Sequence, residues 1–220
     1  MKATSFDQLR SCSEAMAAIG SVDLLKSLAA EKSLMDHFYL TGYEGLCLSL
    51  GHRELTQSVI SSAVPMYGEL LAVGSKDEIG FWVSICESLH IGITAIETTG
   101  ADATEAIAKV LKENAAISHV LCTSAYGQDA IRRMSEVAHK RHCSVIVDDS
   151  ASRVDMASIE NAGIDFSIST AETENPISVI IAKRSRLVMT EGNARRGEHD
   201  IYAVWQDTLA NRNPTWVPMA

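Results

Sequence analysis

The chain has 220 residues, 46% of them hydrophobic and 21% charged, which suits a globular protein with a sizeable core and excludes a disordered one. A formal net charge of -9 disfavours a sequence-independent grip on nucleic acid or on an anionic membrane. No apolar run approaches the roughly 18 residues of a spanning helix, so neither nucleic acid nor a membrane is expected as a partner.

In chain order, residues 1–44 read as a helical segment, two helices broken near Gly20-Ser21. Met16, Leu24, Leu25, Leu28 and Met35 make its apolar stripe, which needs a sheet or a second subunit to cover it. The start lacks the apolar core of a signal peptide. Five cysteines, widely spaced and without a CxxC pair, form neither a disulfide framework nor a metal knuckle. A reducing cytoplasm is the expected location.

From residue 45 onward, short apolar runs alternate with amphipathic stretches. Strands are expected over Gly45–Leu50, Glu69–Val73, Gly92–Glu97, Ile117–Thr123, Ser144–Val147, Asp165–Ser169 and Ser178–Ala182. Between them, apolar residues recur at helical spacing: Ile79, Trp82, Val83, Cys86 and Leu89, then Ala106, Ile107, Val110 and Leu111, then Ala130, Ile131, Met134, Val137 and Ala138. Phe81 and Trp82 fall on the expected core face of the first of these helices. The fold class is therefore α/β: a three-layer α/β/α domain around a mainly parallel sheet of seven strands. After residue 183 the pattern loosens into a charged edge, Lys183-Arg184-Ser185-Arg186, and a loop-like tail from Asn211. His139, His142 and Cys143 lack a convincing further metal ligand, and cations closing a helix are the simpler account.

The chemistry-bearing pieces are a strand, Val145-Ile146-Val147-Asp148, that ends in a carboxylate, and a later strand, Asp165-Phe166-Ser167-Ile168-Ser169-Thr170, that ends in hydroxyls. Before them come Ile117-Ser118-His119-Val120 and Glu136-Val137-Ala138-His139. After them come Val179-Ile180-Ile181-Ala182-Lys183-Arg184, Arg195-Arg196 and Asp200-Ile201-Tyr202-Ala203-Val204-Trp205. In order and spacing this set resembles the class V aminotransferases, pyridoxal-phosphate enzymes of fold type I, and among them the aminophosphonate–pyruvate transaminases. The resemblance runs over about residues 45–216 and is most specific over 117–205.

The resemblance implies a cofactor site built from Asp148 against the pyridine nitrogen, with Ser169 and Thr170 on the next strand. It implies a phosphate turn at Ser49-Leu50-Gly51-His52, where Gly51 remains of the family's Gly-Ser-Gly-Ser pattern. A loop from Ser124 to Gly127 stands where the family has Glu-Thr-Thr-Thr-Gly, and the turn at Gly74–Glu78 lacks the aromatic residue that stacks on the pyridine. The position of the lysine that carries the cofactor as an imine corresponds to Thr173, flanked by Glu172 and Glu174, and no lysine lies between Lys140 and Lys183. Residues 45–220 then correspond to the large domain alone, without the small C-terminal domain and its substrate-binding arginine. Arg153, Arg195 and Arg196 are the cations left to take that part.

Two functions follow from the resemblance. One is a non-catalytic binding or regulatory homologue, a homodimer without cofactor that takes at most a small anionic ligand. The other is a transaminase-type enzyme that holds pyridoxal phosphate without an imine linkage and has altered chemistry. A nucleotide-binding α/β domain is a third, weaker reading, for no Gly-x-Gly-x-x-Gly or P-loop occurs.

Overall fold

All seven apolar runs form strands in one sheet, in the order Tyr43–Leu48, Ile177–Lys183, Phe166–Ala171, Ser144–Asp148, Ile117–Thr123, Glu69–Gly74 and Gly92–Glu97. The computed structural model describes residues 42–98, 103–149, 159–171, 177–195 and 200–212. The elements are β1 (Tyr43–Leu48), α1 (His52–Ala63), β2 (Glu69–Gly74), α2 (Lys76–Leu89), β3 (Gly92–Glu97), α3 (Ala103–Glu113), β4 (Ile117–Thr123), α4 (Gln128–His139), β5 (Ser144–Asp148), β6 (Phe166–Ala171), β7 (Ile177–Lys183), α5 (Arg184–Val188) and α6 (Ile201–Arg212). The helices expected before residue 41 lie outside the described residues, as do Ser150, Arg153, Glu172, Thr173, Glu174 and Arg196.

Strands β2 to β6 pair in parallel, while β7 runs antiparallel to both β6 and β1. The chain thus crosses the sheet in one direction on every strand but β7, which brings the starts of α1 and α2 to the same edge as the ends of β4, β5 and β6. Alternation along the strands assigns each side chain to a face. In β2, Leu70 and Ala72 pack with Leu55 and Val59 of α1 and with Trp82 and Ile85 of α2. Leu71 and Val73 pack on the other face with Ile107 of α3 and Ile131 and Met134 of α4. Burial on both faces accounts for the near-continuous apolar strands. Leu187 of α5 and Ile201 and Trp205 of α6 join the α1 layer, so the stretch read as a charged edge runs into a short helix with an anchoring leucine.

Local signals agree with these boundaries. Ser75 caps α2: its hydroxyl accepts from the Glu78 N–H, and the Glu78 carboxylate accepts from the Ser75 N–H at 2.7 Å, a reciprocal capping box. Helix α2 ends at His90, whose φ of 56° is left-handed. The carboxyl end of α1 has no basic residue of its own. Arg195 supplies one from far along the chain, donating to the carbonyls of Ser61, Val64 and Pro65 at 3.3, 2.7 and 2.9 Å. That places the Arg195 guanidinium on a helix end.

Candidate functional site

Asp148 is the last residue of β5, at the sheet edge where open α/β domains bind ligands. It shares strand parity with Ile146, so its side chain leaves the sheet on the face covered by α1 and α2. Three side chains from those helices converge there. His52, the first residue of α1, donates from Nε2 to Asp148 Oδ2 at 2.9 Å. Trp82 Nε1 of α2 donates to the same oxygen at 3.4 Å. The Phe81 ring lies against the His52 imidazole, 4.9 Å between centroids and 8° from parallel. The carboxylate is 5% exposed and the imidazole 22%, so a buried anion has its hydrogen bonds supplied from inside the protein. Trp82 faces the core as expected, and Phe81, half-buried, packs against the margin of the same cluster and also stacks on His52.

The other residues singled out from sequence sit around this centre. Gly51 is the N-cap of α1 and makes no side-chain cap. Glu54, in the first turn, folds back so that its Oε2 lies 2.5 Å from where a Cβ at position 51 would be. A carboxylate therefore already faces the positive end of this helix. Ser124 opens a short 3₁₀ turn, Ser124–Tyr126, and its hydroxyl is enclosed without a hydrogen-bond partner. In the same turn the Tyr126 hydroxyl donates to the Thr98 carbonyl. Burial, then the nearby Cys122 and Glu78, pushes that phenol up to about 12. Thr170 shares the Asp148 face and exchanges a 2.9 Å hydrogen bond with Ser178, whose hydroxyl donates to the Leu50 carbonyl at 2.7 Å. Strand parity turns Ser169 to the opposite face. Sequence reading missed Trp82 as a partner of Asp148; its only local signal was an indole N–H on a buried helix face, which requires an acceptor.

The opposite edge carries a second polar cluster. Asp165 accepts from His139 Nε2 at 2.8 Å, from the Val145 N–H at 2.9 Å and from Arg186 Nε at 3.2 Å. Burial raises the acid's pKa, but the bonds from His139 and Val145 and the charges of His139 and Arg186 outweigh it and hold the carboxyl below its usual range. His139 thus pairs with a carboxylate. Among the described residues no group of three or more His, Cys, Asp or Glu side chains could hold a metal ion. His119, Ser118, His142, Ser144 and Arg186 line a cavity of about 190 Å³ at this edge. Burial lowers the His119 imidazole to about 4.

A mainly parallel seven-stranded sheet between helical layers is the fold of the pyridoxal-phosphate aminotransferases. Pyridoxamine–pyruvate aminotransferase from Mesorhizobium loti shares this fold with a TM-score of 0.65 at 14% identity, over 90% of this chain and 53% of that one. Ureidoglycine–glyoxylate aminotransferase from Bacillus subtilis does so with a TM-score of 0.64 at 13% identity, over 99% and 60%. The chain is similar in fold and in sequence to the class V aminotransferases. In sequence it is similar to 2-aminoethylphosphonate–pyruvate transaminase of Bacillus cereus, 28% identical over an alignment of 176 positions that covers 73% of this chain and 47% of that protein. The corresponding protein of Bacillus thuringiensis matches to the same extent. The chain spans about half the length of the curated relatives it matches. No family model matches it.

Pyridoxal phosphate, the group this fold implies, does not fit the residues as they stand. Asp148 Oδ2 already takes two donors from within the protein, His52 and Trp82. Glu54 brings negative charge to the helix start where a phosphate would rest. The Ser124 hydroxyl lacks a partner but is fully enclosed and does not face a ligand space.

Proposed function

We propose that this chain is an aminotransferase-like protein, related to the phosphonate transaminases, that does not transaminate and serves as a non-catalytic binding or regulatory partner. The observation that carries this reading is the distance in the fold between Asp148 and the nearest downstream lysine. No lysine occurs from residue 141 to 182, a stretch that contains all of β5 and β6. Lys183 ends β7, and its N–H donates to the Asp165 carbonyl beside the start of β6, whereas Asp148 pairs with Ile168 further along that strand. The two therefore stand toward opposite edges of the sheet. By the family resemblance Thr173 replaces the lysine, and its hydroxyl cannot take over proton transfer from an amine. Loss of one positioned general base alone lowers rate by roughly 10²–10⁴-fold.

In this reading the protein is a cytoplasmic homodimer, and any ligand is a small anion. Pyridoxal phosphate supplies an electron sink where it is bound in this fold. The residues here hold Asp148 in a hydrogen-bonded, mostly enclosed state instead. The test is a coupled assay of the full chain with 2-aminoethylphosphonate, pyruvate and excess pyridoxal phosphate. No alanine above background is expected, and borohydride with the cofactor should give no specific reduced adduct at the site. Cofactor-dependent alanine formation that disappears in Asp148→Ala would refute the reading.

A further inference from the structure

We infer that the site on Asp148 is occupied from within: the His52 imidazole, stacked on Phe81, holds the place on the carboxylate that the resembling family gives to its cofactor's ring nitrogen. The inference rests on the functional reading above, because it takes Asp148 as the counterpart of the pyridine partner.

Three observations converge. The group against Asp148 Oδ2 is a flat heteroaromatic N–H donor at 2.9 Å, as a protonated pyridine would be. A second ring, Phe81, lies parallel to it at 4.9 Å, so the imidazole also has the stacking partner that the Gly74–Glu78 turn fails to provide. Trp82 Nε1 completes that oxygen's two lone pairs at 3.4 Å. In the first turn of α1 the Glu54 carboxylate approaches Gly51. His52 and Glu54 are two residues apart in one helical turn, and together they present an aromatic nitrogen donor and an anion, the two recognition groups of a phosphorylated pyridine.

The physical consequence is that the buried carboxylate is satisfied in the free protein. A site that waits for a ligand leaves its buried acceptor to water or to a raised energy, and the ligand's binding recovers that cost. Here α1 recovers it during folding, because its N-terminal residue is tethered beside Asp148. A ligand must first displace His52 from both Asp148 and Phe81, and the tether gives the imidazole a high effective concentration against which the ligand competes.

The test is complementation by a free ring. His52→Gly removes the imidazole and should lower the melting temperature. Added imidazole should then restore part of that loss, with at least about tenfold stronger apparent binding than to the wild type, the ratio expected for one hydrogen bond to a charged group. The effect should vanish in His52→Gly/Asp148→Asn. A folded His52→Gly protein that imidazole does not stabilise overturns the inference. If that variant does not fold, the wild type can be titrated with pyridoxal phosphate while the His52 ring ¹⁵N signals are followed. No binding, or binding only with displacement of His52, is expected; Asp148-dependent binding of pyridoxal phosphate that leaves the His52 signals unchanged overturns the inference. Alanine formation by the wild type would sink the parent reading; a silent wild type whose variant ignores imidazole sinks this one alone.

Discussion

His139 Nε2 donates to the buried Asp165 carboxylate at 2.8 Å, so each edge of the sheet carries a His–Asp pair, the other being His52–Asp148 at 2.9 Å. Both histidines lie at helix ends, His139 closing α4 and His52 opening α1, and both acids lie on or beside strands of the central sheet. The pairing brings charge into the sheet layers without leaving an acceptor bare. For Asp165 the pairing also makes stability depend on pH, since its carboxyl is held below the usual range.

His119 should add a pH dependence of its own. Its imidazole is 7% exposed, and burial, opposed by Asp165 and aided by Arg186, lowers it to about 4. Between pH 6.5 and 4 the unfolded chain therefore binds a proton that the folded one does not, and stability must fall as pH falls through that window. The loss is on the order of 3 kcal/mol if the whole difference is expressed. Below it, Asp165 adds a second loss, because a carboxyl held below its usual range stabilises the fold only while ionised. Urea unfolding from pH 7 to 4 should show the slope in wild type, and His119→Gln should flatten it.

Arg195 should behave as a helix-end residue and not as a substrate-binding cation. Arg195→Ala strands the carbonyls of Ser61, Val64 and Pro65 at the end of α1 and should cost about 2 kcal/mol in urea unfolding. Arg195→Lys should recover only part, since one ammonium cannot reach three carbonyls with the geometry of a guanidinium. Equal stability of the alanine variant and wild type would contradict the assignment.

Thiol reactivity should follow burial. Burial pushes Cys86 and Cys122 up to about 12 and moves Cys143 in the same direction. At pH 8 a thiol of that acidity is ionised in roughly one molecule in ten thousand. Of the four described cysteines, only the half-buried Cys47 should be alkylated by iodoacetamide in the folded protein. Peptide mass mapping with and without denaturant decides this, and native labelling of Cys122 would show that the sheet opens at the β4–β5 pair.

The apolar runs, the helical spacings and the position of Asp148 at a strand end are all readable along the chain. Each is a local matter: a strand buried on both faces must be apolar throughout, and a helix must repeat its apolar residues every three or four positions. The strand over Glu69–Gly74, expected to stop at Val73, differs by one residue, and β3 and β4 agree at both ends. Helix α6 carries little signal of its own, because Ile201 and Trp205 bury only one narrow side of an otherwise mixed helix.

The sequence by itself determined that a carboxylate closes a buried central strand and that no lysine lies between residues 141 and 182. What surrounds Asp148 was decided only by tertiary structure. His52 and Trp82 are 96 and 66 residues away from it, on two different helices, and neither residue type at its own position marks a partner of Asp148. Phe81 reads as core along the chain, and only the placement of α2 beside α1 brings its ring onto His52. The reason is directional: because β1, β2 and β5 run the same way, the starts of α1 and α2 and the end of β5 must meet at one edge of the sheet. A buried carboxylate at that edge takes the donors that the meeting brings within reach.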